Sequence, residues 1–335
     1  MTGVTTSIEH PSAEHPPADL AELLERHRAL VNARPQHLLL TLLGDFWYRR
    51  EEALPSAALV DLLAEFGVST PNARAALSRL ARRDLLVSSR RGRRTFYALT
   101  ANAATVLVEG THRIFTFGAE PRAWDGRWTV VAFSLPEERR DTRHLLRTRL
   151  GWLGFASLYD AMWIAPGDRH VAAAALLADL DISTATIVVG PAYAPRGDGP
   201  ARAWDLAALR SRYDAFIDEF AAVRDLIHRG GVAPAVALVA RTAIIDVWRA
   251  FPAMDPELPA EHLPEGWPRP DARALFAEVY DALGPLATIR FRQIVARHDE
   301  DVAGLALHHT VEEAMRESAE PATRPLTRRG ASSPG

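Results

Sequence analysis

No cysteine occurs in the 335 residues. That excludes disulfides, cysteine-bound zinc, iron–sulfur centres and thiol nucleophiles. Lysine is missing too, so all 39 basic residues are arginines. The identity of an arginine therefore says little in this chain; only the local density of charge is informative. No stretch reaches about 18 uninterrupted apolar residues, so no membrane-spanning segment is expected. No apolar run follows a basic start, so no signal peptide is expected and the expected location is cytoplasmic. There is no G-x-S-x-G element, P-loop or dinucleotide fingerprint, and no cofactor or metal is expected. The net charge of -3 excludes a general polycation.

Hydrophobic residues make up 48% of the chain, ample for two or three domains. The stretch from Pro55 to Leu99 organises them. Leu59, Leu62, Leu63 and Phe66 recur at helical spacing, and Gly67 ends that helix. Ser69 and Thr70 are N-cap candidates, and Pro71 suits the first helical position. A second helix is expected from Pro71 to about Arg83. Leu85–Ser89 and Thr95–Leu99 can pair as strands around Gly92. Helix, turn, helix and hairpin in that order make a winged helix-turn-helix.

From Arg74 to Arg94 there are eight arginines and one acid, Asp84. Such local charge on a folded module points to a polyanion, with double-stranded DNA as the expected partner. The candidate base-reading residues are those near the start of the second helix: Ser69, Thr70, Asn72, Arg74, Ser78 and Arg79. Arg90, Arg91, Arg93 and Arg94 are the wing candidates. The bland alternative is a solvated arginine-rich surface.

The remaining chain reads as α+β. Residues 1–33 are expected to be a disordered tail plus an amphipathic helix, and 34–100 the winged domain, opened by an apolar helix over Gln36–Tyr48. Residues 101–195 are expected to hold a linker helix and a ferredoxin-like domain. Its strands are Trp128–Leu135, Ala156–Ile164 and Thr186–Gly190, its helices Glu137–Leu150 and Val171–Leu180, with Leu145, Leu146 and Leu150 facing inward. That leaves one strand of the pattern without a place. Residues 196–305 read as a helical domain, including separate helices over Ala272–Gly284 and Pro285 to about His298. Residues 306–335 read as a disordered tail, in which His308 and His309 suggest no third ligand. Asp255 and Glu257 read as turn and cap chemistry. The helices between Asp205 and His298 carry more apolar stripes than a small bundle needs, which makes them the expected homodimer surface.

Three segments in this order resemble the PaaX family of bacterial transcriptional repressors. They are NARAALSRLARRDLLVSSRRGRRTFYALT, RWTVVAFSLPEERRDTRHLLRTRLGWLGFASLYDAMWIAP and RTAIIDVWRAFPAMDPELPAEHLPEGWP. The resemblance implies a sequence-specific repressor of an aromatic-acid catabolic operon of the phenylacetate type, released by an aryl-CoA thioester. Arg241 and Arg249, on one helix, are then candidates for a phosphate of an acyl-CoA effector, and Trp248 and Trp267 for its pocket. Surface charge and core packing are the alternative readings of these four. The middle segment also resembles the small ferredoxin-like nuclease of CRISPR integration complexes. That gives a metal-dependent nuclease as the alternative function. Such nucleases carry Asp at the end of the first strand, where this chain has Phe133-Ser134-Leu135, so no catalytic residue is expected.

Overall fold

The computed structural model describes Glu25 and residues 34–119, 124–193 and 199–319. The expected tail and amphipathic helix of residues 1–33 otherwise lie outside the described residues. The architecture is α+β. In chain order the elements are α1 (Pro35–Phe46), β1 (Leu54–Pro55), α2 (Ser56–Ala64), α3 (Thr70–Arg82), β2 (Leu86–Arg91), β3 (Arg94–Leu99) and α4 (Ala101–Thr116). There follow β4 (Trp128–Phe133), α5 (Arg140–Trp152), β5 (Ala156–Tyr159), β6 (Met162–Pro166), α6 (His170–Asp179) and β7 (Ala185–Gly190). Three long helices come next, α7 (Leu206–His228), α8 (Pro234–Trp248) and α9 (Arg269–Ala296), and then the shorter α10 (Val311–Ala319), with short helical turns between them.

These elements fall into two compact units. The first takes the described residues up to Ala104, with Glu219–Ile244 and Glu278–His309. The second takes Thr105–Asp218, Ile245–Ala277 and the described residues from Thr310.

In the first unit, α1 buries Leu38, Leu39, Leu42, Leu43 and Phe46. Leu59, Leu62, Leu63 and Phe66 close on them from α2 and its end. Gly67, at φ 77°, takes the left-handed conformation that stops α2 without a side-chain clash. A three-stranded antiparallel sheet in the order β1-β3-β2 completes the group. The hairpin strands run closer to its tip than the apolar pattern indicates. Arg91 pairs with Arg94, leaving only Gly92, at φ 61°, and Arg93 in the turn. Main-chain pairing continues past the last apolar residue because it needs no particular side chain.

An ion-pair cluster buried in this unit joins three helices. Arg241 of α8 donates from Nε and Nη2 to the two carboxylate oxygens of Asp45, at 2.9 and 2.8 Å. Its remaining donors reach the carbonyls of Tyr280 and His309. Tyr280 of α9 donates its hydroxyl to the same Asp45 at 2.5 Å. The guanidinium also lies 3.5 Å from the centroid of the Tyr280 ring. Burial opposes charge on Arg241, but Asp45 more than offsets it and raises the affinity of the guanidinium for its proton. Gly284 admits this packing: a Cβ there would lie 2.3 Å from the His308 ring and 2.9 Å from Arg241 Nη1. The two helices expected on either side of Pro285 are one, Arg269–Ala296. A proline removes one donor, but Val279, Tyr280, Leu283, Phe291 and Ile294 are buried on both sides of it and hold the helix together.

The second unit holds a four-stranded antiparallel sheet in the order β5-β6-β4-β7. The segment read as one strand, Ala156–Ile164, is a hairpin of β5 and β6 turning at Asp160 and Ala161. This supplies the missing strand; the turn carries neither Gly nor Pro, so its sequence shows no break. α5 and α6 pack on the sheet through Leu146, Leu150, Ala173, Leu176 and Leu177. Leu145, expected inward, is 45% exposed. It precedes the Leu146–Leu150 line by one residue, which turns it about 100° away. Asp255, buried, accepts two bonds from Arg269 at 2.7 and 3.0 Å, the Tyr213 hydroxyl at 2.6 Å and the Glu257 main-chain N–H at 2.7 Å. The bond from the Glu257 N–H is the turn chemistry expected, but Asp255 is mainly the buried carboxylate of an ion pair with Arg269, which its place before a proline does not show.

Two further expectations change. Residues 306–319 are not a loose tail: Ala306, Val311 and Ala314 are buried and α10 forms. Residues 320–335 lie outside the described residues. The apolar stripes from Asp205 to His298 are largely consumed inside the chain, and Ile289 is the one large exposed hydrophobic within that range.

Candidate nucleic-acid interface

The chemistry that stands out is on α3 and the β2–β3 hairpin. One stripe of α3, Ala73, Ala76, Leu77 and Leu80, faces the core. This spacing of three and four leaves Thr70, Arg74, Ser78 and Arg82 on a line four residues apart, and all four are exposed. Ser69, Asn72 and Arg79 are exposed as well. Ser69 occupies the N-cap position, yet its hydroxyl makes no capping bond. Thr70, rather than Pro71, opens the helix. Asp84, the sole acid of the stretch, stands beyond the opposite end of α3 at φ 54°. There its carbonyl accepts from Thr100 Oγ1 at 2.6 Å.

The four hairpin arginines are exposed but not equivalent. Arg91 lays its guanidinium over the Phe96 ring, 4.8 Å from the centroid. The two are diagonal neighbours across the strands, so they share a face. Arg94 donates to the His298 carbonyl at 3.2 Å. Arg93 sits in the turn and Arg90 in β2. Between α3 and the hairpin lies an open cleft of about 640 Å³. Arg74, Arg93 and Arg94 line it, together with Thr70, Asp61, Arg297 and His298. All ten residues singled out in the sequence are therefore exposed, and four of them, Thr70, Arg74, Arg93 and Arg94, border one cleft. Arg297 and His298 were missed. They lie beyond an apolar helix far along the chain, and no local pattern links them to the hairpin.

The four effector candidates are placed otherwise. Arg241 is 0% exposed, with its donors turned to Asp45 and to main-chain carbonyls of the first unit. It is a structural cation with no open side for a ligand phosphate. Trp248, Arg249 and Trp267 belong to the second unit. Trp248 is fully buried, stacked on Phe276 at 4.9 Å and tilted against Phe216, Phe117 and Phe251. Arg249 pairs with Asp246. Trp267 is half-buried beneath Arg210, and its Nε1 is buried with no hydrogen-bond partner among the described residues.

Comparison with known proteins matches the order of these parts. Residues 34–103 match the family model for a PaaX-like protein, 121–199 that for the PaaX protein central Cas2-like domain, and 204–293 that for the PaaX-like protein C-terminal domain. The transcriptional repressor PaaX of Escherichia coli strain K12 is 28% identical over 270 residues, covering 77% of this chain and 84% of that one. Among solved structures, uncharacterized protein Rv0674 from Mycobacterium tuberculosis shares the fold. Its TM-score is 0.51 at 22% identity, over 78% of this chain and 97% of that one. Three successive models of one family run from the first helix of the first unit nearly to the end of α9, and by that match the chain belongs to the PaaX family.

Proposed function

We propose that this protein is a DNA-binding transcriptional repressor of a catabolic operon of the phenylacetate type, a regulator rather than an enzyme. In this reading α1–α3 and the β2–β3 hairpin act as a winged helix-turn-helix, and the second unit's sheet as a ferredoxin-like domain. The observation that carries the proposal is the exposed face of α3 and the hairpin. It presents eight arginines between Arg74 and Arg94 against one acid. DNA is a partner that such a face attracts at long range and binds with release of counterions. The E. coli relative's name supports the repressor reading. No helix among the described residues is long and apolar enough to cross a membrane, in keeping with a cytoplasmic regulator. Ser134 stands where the nuclease alternative needs a carboxylate ligand.

The test is a gel shift of the duplex upstream of the protein's own coding sequence, with and without a panel of acyl-CoA esters. Retarded DNA that an aryl-CoA releases is the expected result. DNA that is never retarded at low salt overturns the reading. Within the site, Ser69, Thr70, Asn72, Arg74, Ser78 and Arg79 face the bases. Arg74→Ala is expected to cost about 1–3 kcal/mol at the cognate duplex and less on random sequence. Competition titrations with both duplexes check this; equal loss on both reduces Arg74 to a phosphate contact.

The repressor is further proposed to act as a homodimer, since two-fold symmetric operators match two-fold proteins. Sedimentation at micromolar concentration is expected to give a dimer. A monomer that still binds a palindrome tightly would sink the idea.

A further inference from the structure

One wall of the cleft beside α3 comes from the far end of the chain. Arg297, just beyond α9, borders the same space as Arg74, Arg93 and Arg94. It is exposed, and no described residue forms an ion pair with it. The segment that carries it is fastened on both sides. Arg290 of α9 makes a two-pronged ion pair with Glu65, just beyond α2, at 2.7 and 3.0 Å. His298 Nε2 lies 2.8 Å from Asp61 Oδ2 of α2, and the His298 carbonyl accepts from Arg94 of the hairpin. Arg297 is therefore held between anchors rather than presented on a loose end.

Charge in the cleft is one-sided. Among the described residues Asp61 is the only acid that lines it, and His298 already occupies that carboxylate. Four guanidiniums around one solvent-filled space repel each other and gather counterions. A chain of phosphates that enters relieves the repulsion and releases those ions. A guanidinium is also suited to bind two phosphate oxygens at once.

We propose that Arg297 is a DNA phosphate contact, and that the cleft seats one sugar–phosphate strand between α3 and the hairpin. The end of α9 then belongs to the DNA-binding machinery. This rests on the reading of the first unit as a DNA-binding module, and it adds a residue that lies outside the winged segment.

The experiment uses the full chain with two fluorescent duplexes of equal length, the upstream sequence and a scrambled one. Anisotropy titrations run from about 50 to 200 mM salt. Arg297→Ala should flatten the slope of log affinity against log salt by about 0.9. It should weaken both duplexes roughly three- to eightfold near 0.1 M salt. Arg297→Lys keeps the charge and should keep most of the slope. Arg229→Ala, an exposed arginine between α7 and α8, should match the wild type. An unchanged slope in Arg297→Ala, while the wild type binds, overturns this assignment alone. Loss confined to the upstream duplex overturns it in favour of base reading. A lowered melting temperature in Arg297→Ala with no rescue by lysine assigns Arg297 to folding and also overturns it. Absence of salt-dependent binding by the wild type overturns the DNA reading and this proposal together.

Discussion

Arg241→Ala is expected to destabilise the first unit by about 3–5 kcal/mol, the usual cost of breaking a buried ion pair from one side. Asp45 has a carboxylate side chain only 2% exposed. Without Arg241 it keeps the Tyr280 hydroxyl and loses both charged donors. The carbonyls of Tyr280 and His309 also lose their partner. An unpaired buried charge and two orphaned carbonyls are more than the loss of one surface contact. Urea unfolding followed by circular dichroism measures the effect. Arg241→Lys recovers little, because one ammonium cannot reach both Asp45 oxygens and two carbonyls at once. Replacing the pair together, as Asp45→Leu with Arg241→Met, should cost much less than Arg241→Ala, since no charge is then stranded. A loss below about 1 kcal/mol for Arg241→Ala would mean that water reaches Asp45. The pH dependence has a definite sign. The guanidinium's pKa is raised in the folded protein, so its contribution is fully present below the ordinary arginine value and would be lost only above it. Tyr280 is pushed the same way, first by burial, so its hydroxyl stays a donor through alkaline pH. Alkali up to the ordinary tyrosine range should leave this cluster intact.

The second large effect is on DNA. The double substitution Arg91→Ala, Arg93→Ala is expected to weaken cognate and random duplexes alike. It should also flatten the plot of log affinity against log salt by about one unit per lost contact. Arg93 occupies the turn and Arg91 the end of β2, and both are exposed. Four guanidiniums there are not desolvated in the free protein, because unpaired buried charge is very costly. The two do not contribute alike. Arg91 covers Phe96, so its loss uncovers apolar surface, and Arg93→Ala alone isolates the phosphate effect. If one of them enters a narrow minor groove, its loss should hurt A·T-rich flanks most. Titrations at several salt concentrations with each variant decide. Wild-type slope and affinity in the double variant would leave the hairpin as a solvated basic surface.

The segment from α2 to α3 was legible because every signal in it is local. Gly67 marks a left-handed stop, Ser69 and Pro71 mark a start, and Ala73, Ala76, Leu77 and Leu80 repeat at one helical period. The hairpin was legible from Gly92, although the strands run on to Arg91 and Arg94. Arginine runs carry no apolar alternation, so their pairing does not show in the pattern. The same lack of local marking hid the turn at Asp160–Ala161 between β5 and β6.

What the sequence by itself determined is the helices and hairpin between Pro55 and Leu99, and where the positive charge is concentrated. Periods of two and of about 3.6 residues depend on neighbours a few positions away, and the arginine excess between Arg74 and Arg94 is a count. Tertiary structure alone decided which distant residues meet. It made Arg241, a candidate for a phosphate contact or a surface charge, a buried partner of Asp45, and it drew Trp248 into an aromatic core. It also carried Arg297 and His298 to the cleft beside Arg74 and Arg94. The physical reason is that an arginine's role follows from its solvent exposure and from the carboxylate facing it. Both are set by packing between segments far apart in the chain, and neither leaves a mark in the residues alongside.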